Sequence, residues 1–134
     1  MVKKNKFHIT LIVSANELDD LNHVNNIHYI KWVQDVAQKH WGILSNTNLE
    51  AKYVWVVLRH EVDYLSSARL NDEITVKTWI GDSYGVKSER FVEIKKGDKL
   101  IANAKTIWCL LDKMTMKPVR IPSEIIKILQ SDSD

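Results

Sequence analysis

Only one stretch of this chain carries the period of a long helix, and nearly everything after it alternates. Between residues 26 and 41, Ile27, Ile30, Val33, Ala37 and Trp41 fall on one stripe, with Tyr29, Val36 and His40 beside it. Gly42 follows directly and predicts the stop. A helix of that span is a rod of roughly 24 Å. One strand pattern precedes it: Phe7, Ile9, Leu11 and Val13 alternate with His8 and Thr10. Four follow it. Residues 53–65 set Val54, Val56, Leu58, Val62 and Tyr64 against Arg59, Glu61 and Asp63, and residues 73–80 put Ile74, Val76, Thr78 and Ile80 on one face. Residues 86–94 and 100–111 complete the set. Gly81-Asp82-Ser83-Tyr84-Gly85 and Lys96-Gly97-Asp98 are short enough for hairpins, so the sheet is expected to be mostly antiparallel. Pro118 and Pro122 end regular structure, and Ser123 is the expected cap of a short C-terminal helix.

Five strands at about 4.8 Å spacing span roughly one helix length. One twisted sheet around one helix therefore buries the apolar face of both. The predicted class is α+β, a single domain over residues 1–134.

Composition removes several function classes. The formal net charge is +2 and the charges are spread along the chain, so there is no basic stripe to neutralise a nucleic acid. Cys109 is the only cysteine, which excludes an intrachain disulfide and a thiolate zinc site. Its apolar neighbours Ile107, Trp108, Leu110 and Leu111 predict a buried, inert thiol. No apolar run approaches the ~20 residues of a membrane span. The basic start, residues 1–6, is followed by a segment too short and too alternating for a signal peptide, and the acidic tail, 131–134, is expected to fray. These features predict a soluble cytoplasmic protein.

The chemistry-bearing segment runs from Glu17 to Trp32. It is a polar loop with a carboxylate a few residues ahead of a helix start. The first N–H groups of a helix lack intrahelical partners and carry partial positive charge, so they can hold a carbonyl oxygen as it becomes an oxyanion. A nearby carboxylate can attack that carbonyl or activate water against it. Plain capping explains the same residues: Asn25 is a natural N-cap, and Asn22 suits a tight turn at positive φ.

The run Asp19-x-x-Asn22-His23-Val24-Asn25-Asn26-x-x-Tyr29 resembles the signature of the 4-hydroxybenzoyl-CoA thioesterase-like branch of the hotdog superfamily. The longer run from His23 to Trp32 is similar to acyl-ACP thioesterases. The likeness continues through Val62-Asp63-Tyr64-Leu65, Ala68-Arg69-Leu70-Asn71-Asp72 and the exit Lys117-Pro118-Val119-Arg120-Ile121-Pro122. It implies a hotdog fold and an acyl-CoA thioester hydrolase, with Asp19 as nucleophile or general base and the N–H of Asn26 as oxyanion donor. His23 and Asn25 belong to the motif, and Asp20 does not. Tyr29 reads as a packing residue. Asn22 stands where the family has Gly, Glu17 where many members have Asp, and Leu21 where acyl-ACP thioesterases carry Asn. Near Ser66-Ser67 those enzymes carry an acidic residue or cysteine.

Lys87 aligns with a basic residue that some hotdog thioesterases use against CoA phosphates, and Arg120 is a second candidate. Both also read as ordinary surface cations. Trp55 and Trp79, opposite most aliphatics of their strands, suit an acyl pocket or a subunit interface. The resemblance implies no metal or cofactor beyond the CoA of the substrate, an acyl-CoA or acyl-ACP partner, and a homodimer or dimer-based tetramer joined through sheet edges. The alternatives are an acyl-ACP thioesterase and a non-catalytic acyl-CoA-binding hotdog protein.

Overall fold

In the computed structural model, which describes residues 5–131, the chain runs β1 (Lys6–Ile12), α1 (Asn26–Leu44), α2 (Thr47–Lys52), β2 (Tyr53–Tyr64), β3 (Glu73–Tyr84), β4 (Lys87–Lys96), β5 (Lys99–Asp112) and α3 (Ser123–Gln130). The basic start and the acidic tail lie almost wholly outside these bounds. Every strand pairing is antiparallel, in the order β1-β3-β4-β5-β2, and α1 covers one face. This is the predicted α+β architecture.

Five local expectations need correction. Helix α1 runs through Gly42 to Leu44, where the Ser45 N–H donates to Trp41 O. Gly42 does not take positive φ, so it supplies no left-handed stop. Asn46 instead caps α2, a helix the sequence pattern left as a connection, by accepting from the Leu49 N–H at 2.8 Å. The buried face of α1 is also rotated from the expected stripe. It consists of Tyr29, Trp32, Val33, Val36, Ala37 and His40, while Ile27 is 65% exposed. Strand β3 extends through the predicted turn at 81–84, and the turn shrinks to two residues led by Gly85 at φ 62°. Gly81 permits this, because a Cβ there would lie 2.6 Å from the Phe91 ring. Ser123 is not a cap: Pro122 holds that position and no side chain caps α3.

The face of the sheet toward α1 is laid out in rows across the strands. One row is Val76–Ile94–Ala102–Tyr64, and the next is Thr78–Val92–Ala104–Val62. The third is Ile80–Arg90–Thr106–His60, followed by Ser88–Trp108–Val57 and then Leu110–Trp55. A bulge at Leu58 lets β2 keep to these rows: Trp55 and Val57 face inward before it, His60 and Val62 after it. The strict alternation expected for β2 is therefore broken, and Leu58 is exposed. Trp55 consequently turns inward onto Trp41, whereas Trp79 stays on the other face, stacked on Phe91.

The third row is polar in an otherwise apolar interior. Arg90 Nη1 meets His40 Nδ1 at 2.8 Å and donates to Thr78 Oγ1 at 3.2 Å. A guanidinium only donates, so His40 presents Nδ1 as acceptor. On the other side His60 contacts Thr106 Oγ1 at 2.8 Å and Gln34 Nε2 at 3.2 Å. This belt runs beneath α1 between two apolar clusters. One gathers Val33, Val36, Ile74, Val76 and Ile94. The other gathers Leu49, Leu110, Ile121, Ile125 and Leu129 under α2 and α3. Burial lowers the Arg90 guanidinium to about 10, which leaves it protonated at neutral pH.

Candidate active site

Between β1 and α1 the chain makes a tight reversal. Leu18 and Val24 form an antiparallel bridge, the Asp19 N–H donates to His23 O at 2.7 Å, and the Asn22 N–H donates to Asp19 O at 3.0 Å. Asn22 adopts φ 62°, as its place in the motif required. The Asp19 side chain closes the turn: Oδ1 accepts from the N–H of Leu21 at 2.9 Å and of His23 at 3.2 Å. Among the described residues Oδ2 has no protein donor. Asp19 is half-buried and Asp20 is exposed.

The loop leads into the start of α1. Asn25 is the N-cap, its Oδ1 accepting from the Ile27 N–H at 3.2 Å, and the His28 N–H donates to Asn25 O. The N–H of Asn26, the first helical residue, has no protein acceptor among the described residues. Asp19, His23, Asn25 and Asn26 thus meet at one strand-to-helix junction. His23 acts there through its backbone, since both its N–H and its carbonyl bond Asp19.

Glu17 and Tyr29, both named from the sequence, take anchoring roles at this junction that the motif did not assign to them. Glu17 Oε1 accepts from the Ser14 N–H at 2.9 Å, and Oε2 accepts from Trp32 Nε1 at 3.3 Å, tying the loop to the second turn of α1. Ser14-x-x-Glu17 is a capping pattern and was the available signal. The second anchor is Tyr29, buried edge-on against Trp32. Its hydroxyl accepts from the Ala68 N–H at 2.9 Å, and Val24 N–H donates to Ala68 O at 2.9 Å. Burial, with the nearby carboxylates of Asp19 and Asp72, raises the Tyr29 phenol above its ordinary value; the Ala68 N–H opposes this. Tyr29→Phe should leave the Ala68 N–H buried without a partner and destabilise the fold by about 1–3 kcal/mol. Urea denaturation checks this, and a loss below about 0.5 kcal/mol would mean the loop relaxes to re-pair that donor.

The two candidate phosphate contacts lie elsewhere. Lys87 opens β4 opposite Tyr84, and Arg120 precedes Ile121, whose N–H donates to Gly85 O. Both are exposed. The Asp19 loop leaves β1 at the end where Ile12 pairs with Glu73, so most of a strand length separates it from Lys87 within one chain. Trp55, the other acyl-pocket candidate, lines a cavity toward the far end of α1. Among the described residues no cluster of three or more His, Cys, Asp or Glu could hold a metal, and no helix is long and apolar enough to cross a membrane.

Residues 13–129 match the family model described as the thioesterase-like superfamily. No curated protein matches the chain. Its fold is similar to that of a predicted thioesterase from Bacillus stearothermophilus, at 21% identity and TM-score 0.85, covering 93% of this chain and 94% of that one. It is also similar to YbaW, a probable thioesterase from Escherichia coli, at 21% identity and TM-score 0.82, over 95% and 98% of the two chains. A thioesterase from Thermus thermophilus, solved with coenzyme A and Zn, aligns at 22% identity and TM-score 0.82, over 92% and 90%.

Proposed function

The chain belongs to the thioesterase-like superfamily and is a thioester hydrolase, and we propose that its substrate is an acyl-CoA, cleaved at the junction between the Asp19 loop and α1. The observation that carries the reading is the division of labour on Asp19. One carboxylate oxygen is fixed by two backbone donors; among the described residues the other has no protein donor, and the first N–H of the helix that the loop leads into has no protein acceptor. The thioester carbonyl would lie against the Asn26 N–H, where the helix terminus favours charge developing on oxygen. Oδ2 of Asp19 then either takes a proton from an attacking water or attacks the carbonyl itself. In the general-base route, collapse of the tetrahedral species expels the CoA thiolate, which takes the proton back from Asp19, and the carboxylic acid is released. In the nucleophilic route, collapse expels the thiolate and leaves a mixed anhydride on Asp19; water then cleaves the anhydride, which releases the acid, restores the carboxylate and leaves one water proton for the thiolate. CoA is part of the substrate, and the reading needs no further cofactor. It sets the enzyme in the cytoplasm.

A homodimer goes with this reading. Strand β2, Tyr53–Tyr64, is the long outer strand of the sheet and leaves its far edge unpaired in one chain. Leu58, Tyr64 and Leu65 are exposed along or just beyond it, and Leu21 and Ile27 are exposed around the loop. Antiparallel pairing of two such edges would carry the far end of one sheet toward the Asp19 loop of the other. The candidate acyl and phosphate contacts could then come from the partner subunit. Sedimentation at micromolar concentration should give a dimer or a tetramer; a 15.6 kDa monomer would remove this account of the distant residues.

The direct test is hydrolysis of acyl-CoAs of graded chain length, followed by thiol release. Acyl-ACP is the competing carrier and belongs in the same assay. If Lys87 meets CoA phosphates, Lys87→Glu raises KM more than it lowers kcat, because a contact far from the thioester binds substrate and transition state alike. The effect should shrink with salt. An unchanged KM at low ionic strength would return Lys87 to the solvated surface. The two hydrogen bonds to Oδ1 also give Asp19 a structural use, which its substitution separates from a chemical one.

A further inference from the structure

A cavity lies away from the Asp19 loop. It has a volume of about 380 Å³ and sits between the second half of α1, the end of α2, the start of β2 and the middle of the sheet. Its walls are aromatic: Trp41, Tyr53, Trp55 and Trp108. Within this apolar frame it has one buried cation, Arg90, beside the buried hydroxyl of Ser88. Glu50 and Lys113, both exposed, mark the mouth. Along α1, Trp41 is about 22 Å from Asn26, so a thioester at one chain's helix start is remote from this cavity.

Arg90 is unusual in what it lacks. It is 7% exposed, yet among the described residues no carboxylate lies within salt-bridge distance of it. Both of its hydrogen bonds, to His40 and Thr78, use Nη1. Nη2 and Nε have no protein acceptor among the described residues, and the side chain lines the cavity. A desolvated guanidinium without a counter-charge is costly to keep, and its planar fork matches a carboxylate with two parallel N–H donors. The belt beneath α1 fixes its third corner, so the fork is held in place before any ligand arrives.

We propose that this cavity binds an organic carboxylate, with its apolar body against the tryptophans and its carboxylate on Arg90. One cation in an aromatic enclosure selects a single negative charge on an apolar frame, and disfavours a multiply charged phosphate. The carboxylate has two possible sources: a free acid, or the distal end of an acyl group whose thioester sits on the partner subunit. The second source rests on the proposed acyl-CoA activity; the first does not.

Binding is read without any thioester, so its failure is separate from a failure of hydrolysis. Three of the five tryptophans line the cavity, which makes intrinsic fluorescence the readout. Octanoate titrated into the wild-type protein should bind at least about tenfold more tightly than octanamide, which has the same body and no charge. Arg90→Gln should abolish that preference. If the variant does not fold, the comparison of acid with amide on wild type decides alone. Equal binding of the two probes, or no response to either, overturns the proposal, as does a preference that survives in folded Arg90→Gln. The sources separate on turnover. A fall in kcat/KM for suberyl-CoA but not octanoyl-CoA in Arg90→Gln assigns the site to the acyl tail. Unchanged turnover of both, with octanoate binding lost, assigns it to a free acid.

Discussion

Asp19→Asn should lower kcat for acyl-CoA hydrolysis by at least ~10²-fold, the usual scale for deleting a positioned acid–base group, with much less change in KM. The structure makes this substitution cleaner than most. Asn retains the oxygen that accepts from the N–H groups of Leu21 and His23, so the reversal between residues 18 and 24 should hold. What disappears is the charge on the oxygen with no protein donor. Asp19→Ala removes both and should lose stability as well, by about 0.5–2 kcal/mol, the range for losing a cap. Comparing the two separates the chemical from the structural use of the carboxylate. Asp20→Asn, one residue away and exposed, is the matched control and should stay within a few-fold of wild type. If Asp19→Asn turns over thioester as well as Asp20→Asn does, the carboxylate only holds the loop.

The largest loss of stability is expected at Leu110. It is 0% exposed, faces Trp55 across the β5–β2 pair, and joins the cluster formed with Leu49, Ile80, Ile125 and Leu129. Its backbone is committed on both sides, the N–H to Val86 O and the carbonyl to the Val119 N–H, so the strand cannot shift inward to fill a hole. Leu110→Ala should destabilise by about 2–5 kcal/mol, with a fall in Tm of roughly 10 °C or more. Met114→Ala, at a residue 93% exposed, should change stability by no more than about 0.5 kcal/mol. Scanning calorimetry of the pair is sufficient. A small loss at Leu110 would mean that α3 settles onto the sheet and refills the space.

The element order and the strand count were legible because period is a local property, and each run was long enough to declare it. Ile74, Val76, Thr78 and Ile80 did fall on one buried face. The rotation of α1 was not legible: Ile27 belongs to the apolar stripe by spacing, but the buried face centres on Tyr29, Val36 and His40, which leaves Ile27 on the far side of the helix. Leu58 hid a bulge because an extra residue leaves no mark in a run where nearly every side chain is apolar. At the candidate site, the Asp19 loop was recognised through a motif, while the anchoring of the loop by Glu17 and of Ala68 by Tyr29 depends on contacts distant in sequence. Arg90 was passed over for the opposite reason. It lies in phase with Val92 and Ile94, and a charge on the inward face of a strand was the cue.

The bulge at Leu58 works like a frameshift within β2. The residues before it are read by the interior on odd numbers and those after it on even numbers, so one strand supplies an aromatic wall at one end and a polar partner for Thr106 at the other. Leu58 is the residue left over, because Val57 and Arg59 pair with the adjacent Trp108 and Ile107. Replacing it by another exposed residue should be tolerated. Deleting it should be tolerated in phase as well, since Trp55, Val57, His60 and Val62 would then alternate inward in an unbroken ladder. The strand can lose a residue at this one place while the aromatic wall and the partner of Thr106 both keep their positions.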